Sequence, residues 1–213
     1  TALCSAAVDK GISGICITDA CDMEEFEEQK YGKRLMYSCF AAHKAQDIFS
    51  QQLIVTNGVE MCQPLADPDR AVQVIGENRF DFVLGSLHKT RKYGDMMMLN
   101  YAHPALDLQD VFRSYYEELL EVVQWGHFDS LAHLGYPLRY LKPYNRTVDL
   151  AQIDDVFAEI MKSLVAQGKA LELNTGGLRM EIEAFTPSNK YLQMYKDYGG
   201  EMITIGSDAE CCS

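Results

Sequence analysis

What this sequence has little of narrows its chemistry before any motif is considered. Basic residues are scarce: 19 Lys and Arg stand against 31 Asp and Glu, a formal charge of −12. A field of that sign repels phosphate backbones, and without a local basic patch it argues against long nucleic acids as partners. No run of about eighteen apolar residues occurs, so no segment is expected to span a membrane. The N-terminus lacks the basic, apolar, small-residue order of a signal peptide. Proline is limited to six residues, and no linker rich in Pro, Gly or Ser interrupts the chain. One large domain over residues 1–213 is therefore the expected organisation. The seven cysteines are odd in number and contain no CxxC pair, unlike a secreted disulfide framework. Cys4, Cys16, Cys21, Cys39, Cys62, Cys211 and Cys212 read mostly as small buried apolar residues in a reducing, cytoplasmic compartment, a reading favoured over zinc ligation.

What is present is an alternation of short β-branched apolar runs with longer amphipathic segments. The runs are Gly14–Thr18, Leu53–Thr56, Phe82–Leu84, Ser130–His133, Ala170–Leu173 and Met202–Ile205. Helical patterns cover Ala2–Lys10, Leu35–Gln51, Pro68–Asn78, Leu108–Gln124, Leu150–Gln167 and Pro187–Tyr198. Asp67 with Pro68, and Asp107, supply N-terminal caps, while Gly11 and Gly199 supply stops. Such an order predicts an α/β protein with a largely parallel sheet. The first helix leads straight into a strand, and both ends of the sequence read as cut. With one strand ahead of Thr1 the count would be about seven, close to that of a βα barrel.

Each run stops at or near a polar group able to bind a metal or substrate: Asp19, Glu60, His88, His133, Asn174 and Asp208. In a parallel barrel such positions converge at the C-terminal face of the sheet. A lone strand-end Asp more often caps a helix, and a lone His is more often a satisfied polar residue. Six ligand-competent residues in succession favour a metal site. Carboxylate with imidazole suits Zn²⁺, Mn²⁺ or Fe²⁺, and an ion so held activates water against an ester or phosphate. Arg139 and Arg179 follow two of the runs, either as a clamp for a phosphate monoester or as surface ion pairs. His43 and His103 read as structural, His127 as structural or as a support behind the site rather than a ligand, and Met96–Met98 as apolar filler in a loop.

Taken in order, Ile15-Cys-Ile-Thr-Asp19, Gly58-Val-Glu60, Asp81-Phe-Val-Leu-Gly-Ser-Leu-His88, Phe128-Asp-Ser-Leu-Ala-His133 and Ile205-Gly-Ser-Asp208 resemble the polymerase and histidinol phosphatase (PHP) superfamily. Leu138-Arg139-Tyr140 and Leu171-Glu-Leu-Asn-Thr-Gly-Gly-Leu-Arg179 resemble its histidinol-phosphate phosphatase branch. The resemblance implies a distorted (βα)7 TIM-like barrel, here lacking its first strand and last helix, with up to three divalent ions. It implies that Glu60, His88 and His133 form one metal site. Glu60 would also bridge toward a site using Asp208, these two carboxylates being the catalytic ones. Arg139 and Arg179 would hold the substrate phosphate, and Asn174 would support the site or touch substrate.

Two positions depart from the family's pattern. Ala20 stands where the Thr-Asp motif continues with His, and Glu210 stands where the last strand gives a second His. Fewer metals than three are therefore expected, with slow or absent turnover. The implied function is hydrolysis of a small phosphate monoester, foremost L-histidinol phosphate to L-histidinol in histidine biosynthesis. The alternatives are a non-catalytic barrel that binds a phosphorylated ligand or a protein partner, and a related phosphoesterase acting on nucleotides. Oligomeric state and metal identity stay open at this point.

Overall fold

The computed structural model describes residues 1–179, 182 and 184–209. They form two compact units: Thr1–Gly85 with His127–Asp129 and Ala209, and Ser86–Gly126 with Ser130–Asp208.

In unit 1, α1 (Ala2–Asp9) leads to β1 (Gly14–Asp22), α2 (Tyr31–Phe49), β2 (Ile54–Cys62), α3 (Pro68–Asn78) and β3 (Phe82–Ser86), whose last residue belongs to unit 2. β1 and β2 are parallel in nine-residue register, from Gly14 opposite Ile54 to Asp22 opposite Cys62. A core of Cys4, Ala7, Ala45, Leu53 and Val55, with Ile15, Ile17 and Phe49 against it, seals α1 and α2 onto these strands. Burying that apolar surface is worth about 25 cal/mol per Å². The Asp67 carboxylate accepts from the Arg70 amide at 3.1 Å, capping α3 at the position the sequence indicates.

Two boundaries differ from the periodicity. β1 and β2 run on past Asp19 and Glu60 to Asp22 and Cys62, because the paired ladder satisfies backbone groups whatever the side chains are. α2 begins at Tyr31 rather than Leu35; Tyr31 is buried beside Phe26, their rings 6.5 Å apart, and that pairing starts the helix earlier.

In unit 2, a hairpin the periodicity does not foretell pairs β4 (Lys89–Thr90) with β5 (Gly94–Asp95). Then follow α4 (Leu108–Trp125), β6 (Ser130–Leu131), α5 (Asp154–Ala166), β7 (Ala170–Asn174), α6 (Asn189–Asp197) and β8 (Ile203–Gly206). β6–β7 and β7–β8 are parallel. Within unit 1 the strand order is β1, β2, β3, and within unit 2 it is β6, β7, β8, the expected result for α/β units with helical crossovers. Asp107 caps α4 by accepting from the Gln109 and Asp110 amides, and Gly126 ends it at φ +70, a left-handed position that glycine takes without strain. Met96–Met98 form a 3-10 turn rather than an irregular loop, with Met96 buried and Met97 and Met98 exposed. Among the described residues, no helix is long and apolar enough to cross a membrane.

The centre of unit 2 is aromatic. Phe157 lies 4.4 Å from the Tyr116 ring and 4.0 Å from the Tyr191 ring, tying α5 to α4 and α6. Phe157→Ala is expected to lower the unfolding free energy by about 3–5 kcal/mol in urea titrations; a change below about 1 kcal/mol would contradict this packing.

Candidate functional site

Unit 1 holds the ends of β1 and β2. Their register sets Ala20 beside Glu60 and Asp22 beside Cys62, and residues two apart on a strand share a face. A Glu60 carboxylate oxygen and Cys62 Sγ lie within 4.8 Å of each other. Cys62, which the sequence reading passed over as a ligand, is thus the second donor on this face. Ala20 offers no donor at the position where the resemblance expects imidazole. Asp19 lies on the alternate face, exposed, and accepts from Ser38 Oγ of α2 at 2.5 Å.

Unit 2 brings two of the expected ligands together. His88 Nε2 and His133 Nε2 are 3.3 Å apart. Two nitrogens on one tetrahedral zinc, each about 2.05 Å from it, would be separated by about 3.3–3.4 Å, so the donor pair fits a shared ion. Both rings pack on Tyr136, at 4.5 and 5.2 Å between centroids. Adjacent tyrosines of α4 brace the flanking backbone: Tyr115 donates to the Leu87 carbonyl at 2.9 Å and Tyr116 to the Leu134 carbonyl at 3.1 Å. His133 itself takes φ +20 just beyond the short β6.

Behind His133 lies Glu172, only 3% exposed. Its Oε2 accepts from the His133 amide at 2.5 Å and from Asn174 Nδ2 at 2.9 Å, and burial raises its carboxyl pKa. Asn174 is fully buried, and its Oδ1 accepts from the Gly176 amide at 2.8 Å. Glu172 is absent from the sequence-based set. Its signal was a carboxylate inside an otherwise apolar strand, where an unpaired charge would be costly.

The arginines sit differently from each other. Arg139, in the 3-10 turn Tyr136–Tyr140, is mostly buried, with its guanidinium 4.7 Å over the Tyr136 ring. Its Nη2 meets Asp208 Oδ2 at 2.7 Å, while its buried Nε has no partner among the described residues. Asp208, at φ +48, follows β8. Arg179 is exposed and donates from Nη2 to the Ser207 carbonyl. His43 and His127 are exposed, and His103 Nδ1 accepts from the Ala105 amide within a turn. Glu210, Cys211 and Cys212 lie outside the described residues.

Paired imidazoles and carboxylates beside strand ends put the chain in the class of α/β proteins whose functional groups gather where parallel strands finish. The particular family follows from comparison with known proteins: the chain belongs to the PHP domain family, whose profile matches residues 1–176. It is 27% identical over 208 residues to the histidinol-phosphatase of Lactococcus lactis, covering 95% of this chain and 75% of that protein. It is 33% identical over 141 residues to the "Probable histidinol-phosphatase" of Thermotoga maritima, covering 66% of this chain and 53% of that one. A crystal structure of the Lactococcus lactis histidinol phosphate phosphatase, complexed with zinc, L-histidinol and phosphate, superposes with a TM-score of 0.73 at 24% identity, over 99% of this chain and 79% of that chain. A solved structure from Listeria monocytogenes gives 0.76 at 15% identity, over 96% and 86%. These two likenesses establish the shared fold.

Because Ala20 neighbours Glu60, Ala20→His should add a donor to that face. Bound zinc per chain, measured by mass spectrometry of metal-equilibrated protein, is expected to rise above the parent's. An unchanged ratio in a folded variant would mean that position 20 does not face the site.

Proposed function

We propose that this chain is a metal-dependent phosphoric monoester hydrolase acting on L-histidinol phosphate, within histidine biosynthesis. The observation that carries the reading is the pair His88 and His133, spaced for one ion, with the Arg139 guanidinium over the same Tyr136 ring that both imidazoles pack on. The family membership and the named activity of the Lactococcus lactis relative support it.

In this proposal Glu60, His88, His133 and Asp208 hold divalent metal, zinc foremost, with manganese and iron as alternatives. The ion supplies Lewis-acid polarisation and charge neutralisation at the phosphate. Arg139 binds and orients the phosphate. Nη2 stays on Asp208, the Tyr136 ring lies 4.7 Å beneath the guanidinium, and the remaining N–H groups would be the donors to an anion. Arg179, tethered to the Ser207 carbonyl, adds a second positive charge. The carboxylates of Glu60 and Asp208 are the catalytic pair, and Asn174 supports the site. The chain would form a single PHP-type domain, part of a distorted (βα)7 barrel, working in the cytoplasm on a small phosphorylated substrate.

A second reading is favoured by one observation. Ala20 stands beside Glu60 without a donor, so the chain would hold fewer than three ions and turn substrate over slowly, or act as a binder of a phosphorylated ligand.

The zinc-equilibrated protein is expected to release inorganic phosphate from L-histidinol phosphate, and to lose that activity with His133→Ala. Arg139→Ala removes a charge-assisted contact worth about 1.5–3 kcal/mol, so KM should rise by roughly 10- to 150-fold. Zinc bound without turnover would favour the binding reading. An unchanged KM and kcat in Arg139→Ala would remove that residue from the phosphate site.

A further inference from the structure

We propose that Glu172 is the positioning residue of this centre, one buried carboxylate oxygen setting both the His133 turn and the turn that carries Arg179. The proposal rests on the reading of His133 as a metal ligand and Arg179 as a phosphate ligand.

The argument starts from the cost of the arrangement. A buried carboxylate is tolerated only where hydrogen bonds replace water, and Oε2 of Glu172 receives two: the His133 amide at 2.5 Å and Asn174 Nδ2 at 2.9 Å. The first fixes the backbone of a non-glycine residue at φ +20, a conformation that needs support from its surroundings. The second continues from Asn174 Oδ1 to the Gly176 amide at 2.8 Å, at the start of the turn Gly176–Leu178 that leads directly into Arg179. β8 is shaped around the carboxylate: a Cβ at Gly206 would overlap Glu172 Oε1. A carboxylate on this strand thus links two loops that have no sequence proximity, and a glycine on the next strand makes room for it. Groups that orient a metal ligand typically change metal affinity by 10- to 100-fold when removed.

Glutamine at 172 keeps an acceptor oxygen in the same place and loses the charge; leucine keeps the bulk and loses the acceptor. In Glu172→Leu, zinc affinity measured by competition with a chromophoric chelator should fall by about 10- to 100-fold, while Glu172→Gln should stay within about threefold of the parent. Amide hydrogen exchange of the zinc-free protein gives a readout independent of metal. The His133 and Gly176 amides should be protected in the parent and in Glu172→Gln, and both should be freed in Glu172→Leu without general loss of protection in α4 and α5. Protection of both amides retained in a folded Glu172→Leu overturns the proposal, as does a parent whose His133 amide exchanges freely, a result that needs no variant to fold. A parent that binds no zinc, with both amides behaving as expected, instead refutes the metal reading and leaves the positioning role standing.

Discussion

A carboxylate shut away from water must be met by donors held in place, and in unit 2 that requirement falls on Glu172. The side chain sits mid-strand in β7, between buried Leu171 and half-buried Leu173, and it is 3% exposed. Desolvation raises its pKa, while the Asn174 side chain and the His133 amide act in the opposite direction. Each of those contacts ties down a different segment. The strand following β7 must carry Gly206 to leave space, and the segment before it must turn so that the His133 amide faces inward. The location of His133, and with it the 3.3 Å approach to His88, is therefore inseparable from how one buried charge is accommodated.

Tyrosines do the complementary work from the helical side. Tyr115 and Tyr116 are consecutive, so they leave α4 about 100° apart, and each phenol reaches a different loop: Leu87, next to His88, and Leu134, next to His133. Complete burial raises both pKa values well beyond the physiological range, so both remain neutral donors at any working pH. A helix whose buried face includes Phe112, Leu119 and Val123 thereby also registers the two imidazoles.

The parts of this arrangement visible in the sequence are those with a local signature. Asp67-Pro68 and Asp107 announce the starts of α3 and α4, and Gly11 and Gly199, both at positive φ, follow the ends of α1 and α6. The polar residues Glu60, His88, His133 and Asp208 stand out because apolar runs precede them. Glu172 did not stand out, since its meaning depends on a contact with residue 133, 39 positions away. Cys62 was hidden for a similar reason: a thiol two residues past Glu60 reads as core until the register puts both on one face. The ion pair of Arg139 with Asp208, separated by 69 residues, is likewise invisible to periodicity, though both members were singled out individually.

That ion pair bears on why residue 139 is arginine. Asp208 takes one Nη at 2.7 Å, the guanidinium lies 4.7 Å over the Tyr136 ring, and Nε remains buried without a partner among the described residues. A lysine could satisfy the aspartate as a point charge but would have no second, geometrically fixed donor. The guanidinium distributes five N–H groups in one plane, so pairing with Asp208 through Nη2 leaves further N–H groups in the same plane. Asp208 in turn holds the planar group in place, and each of the two charges is offset by the other. In a chain of net charge −12, admitting an anionic substrate requires such local cancellation, because the long-range field opposes its approach.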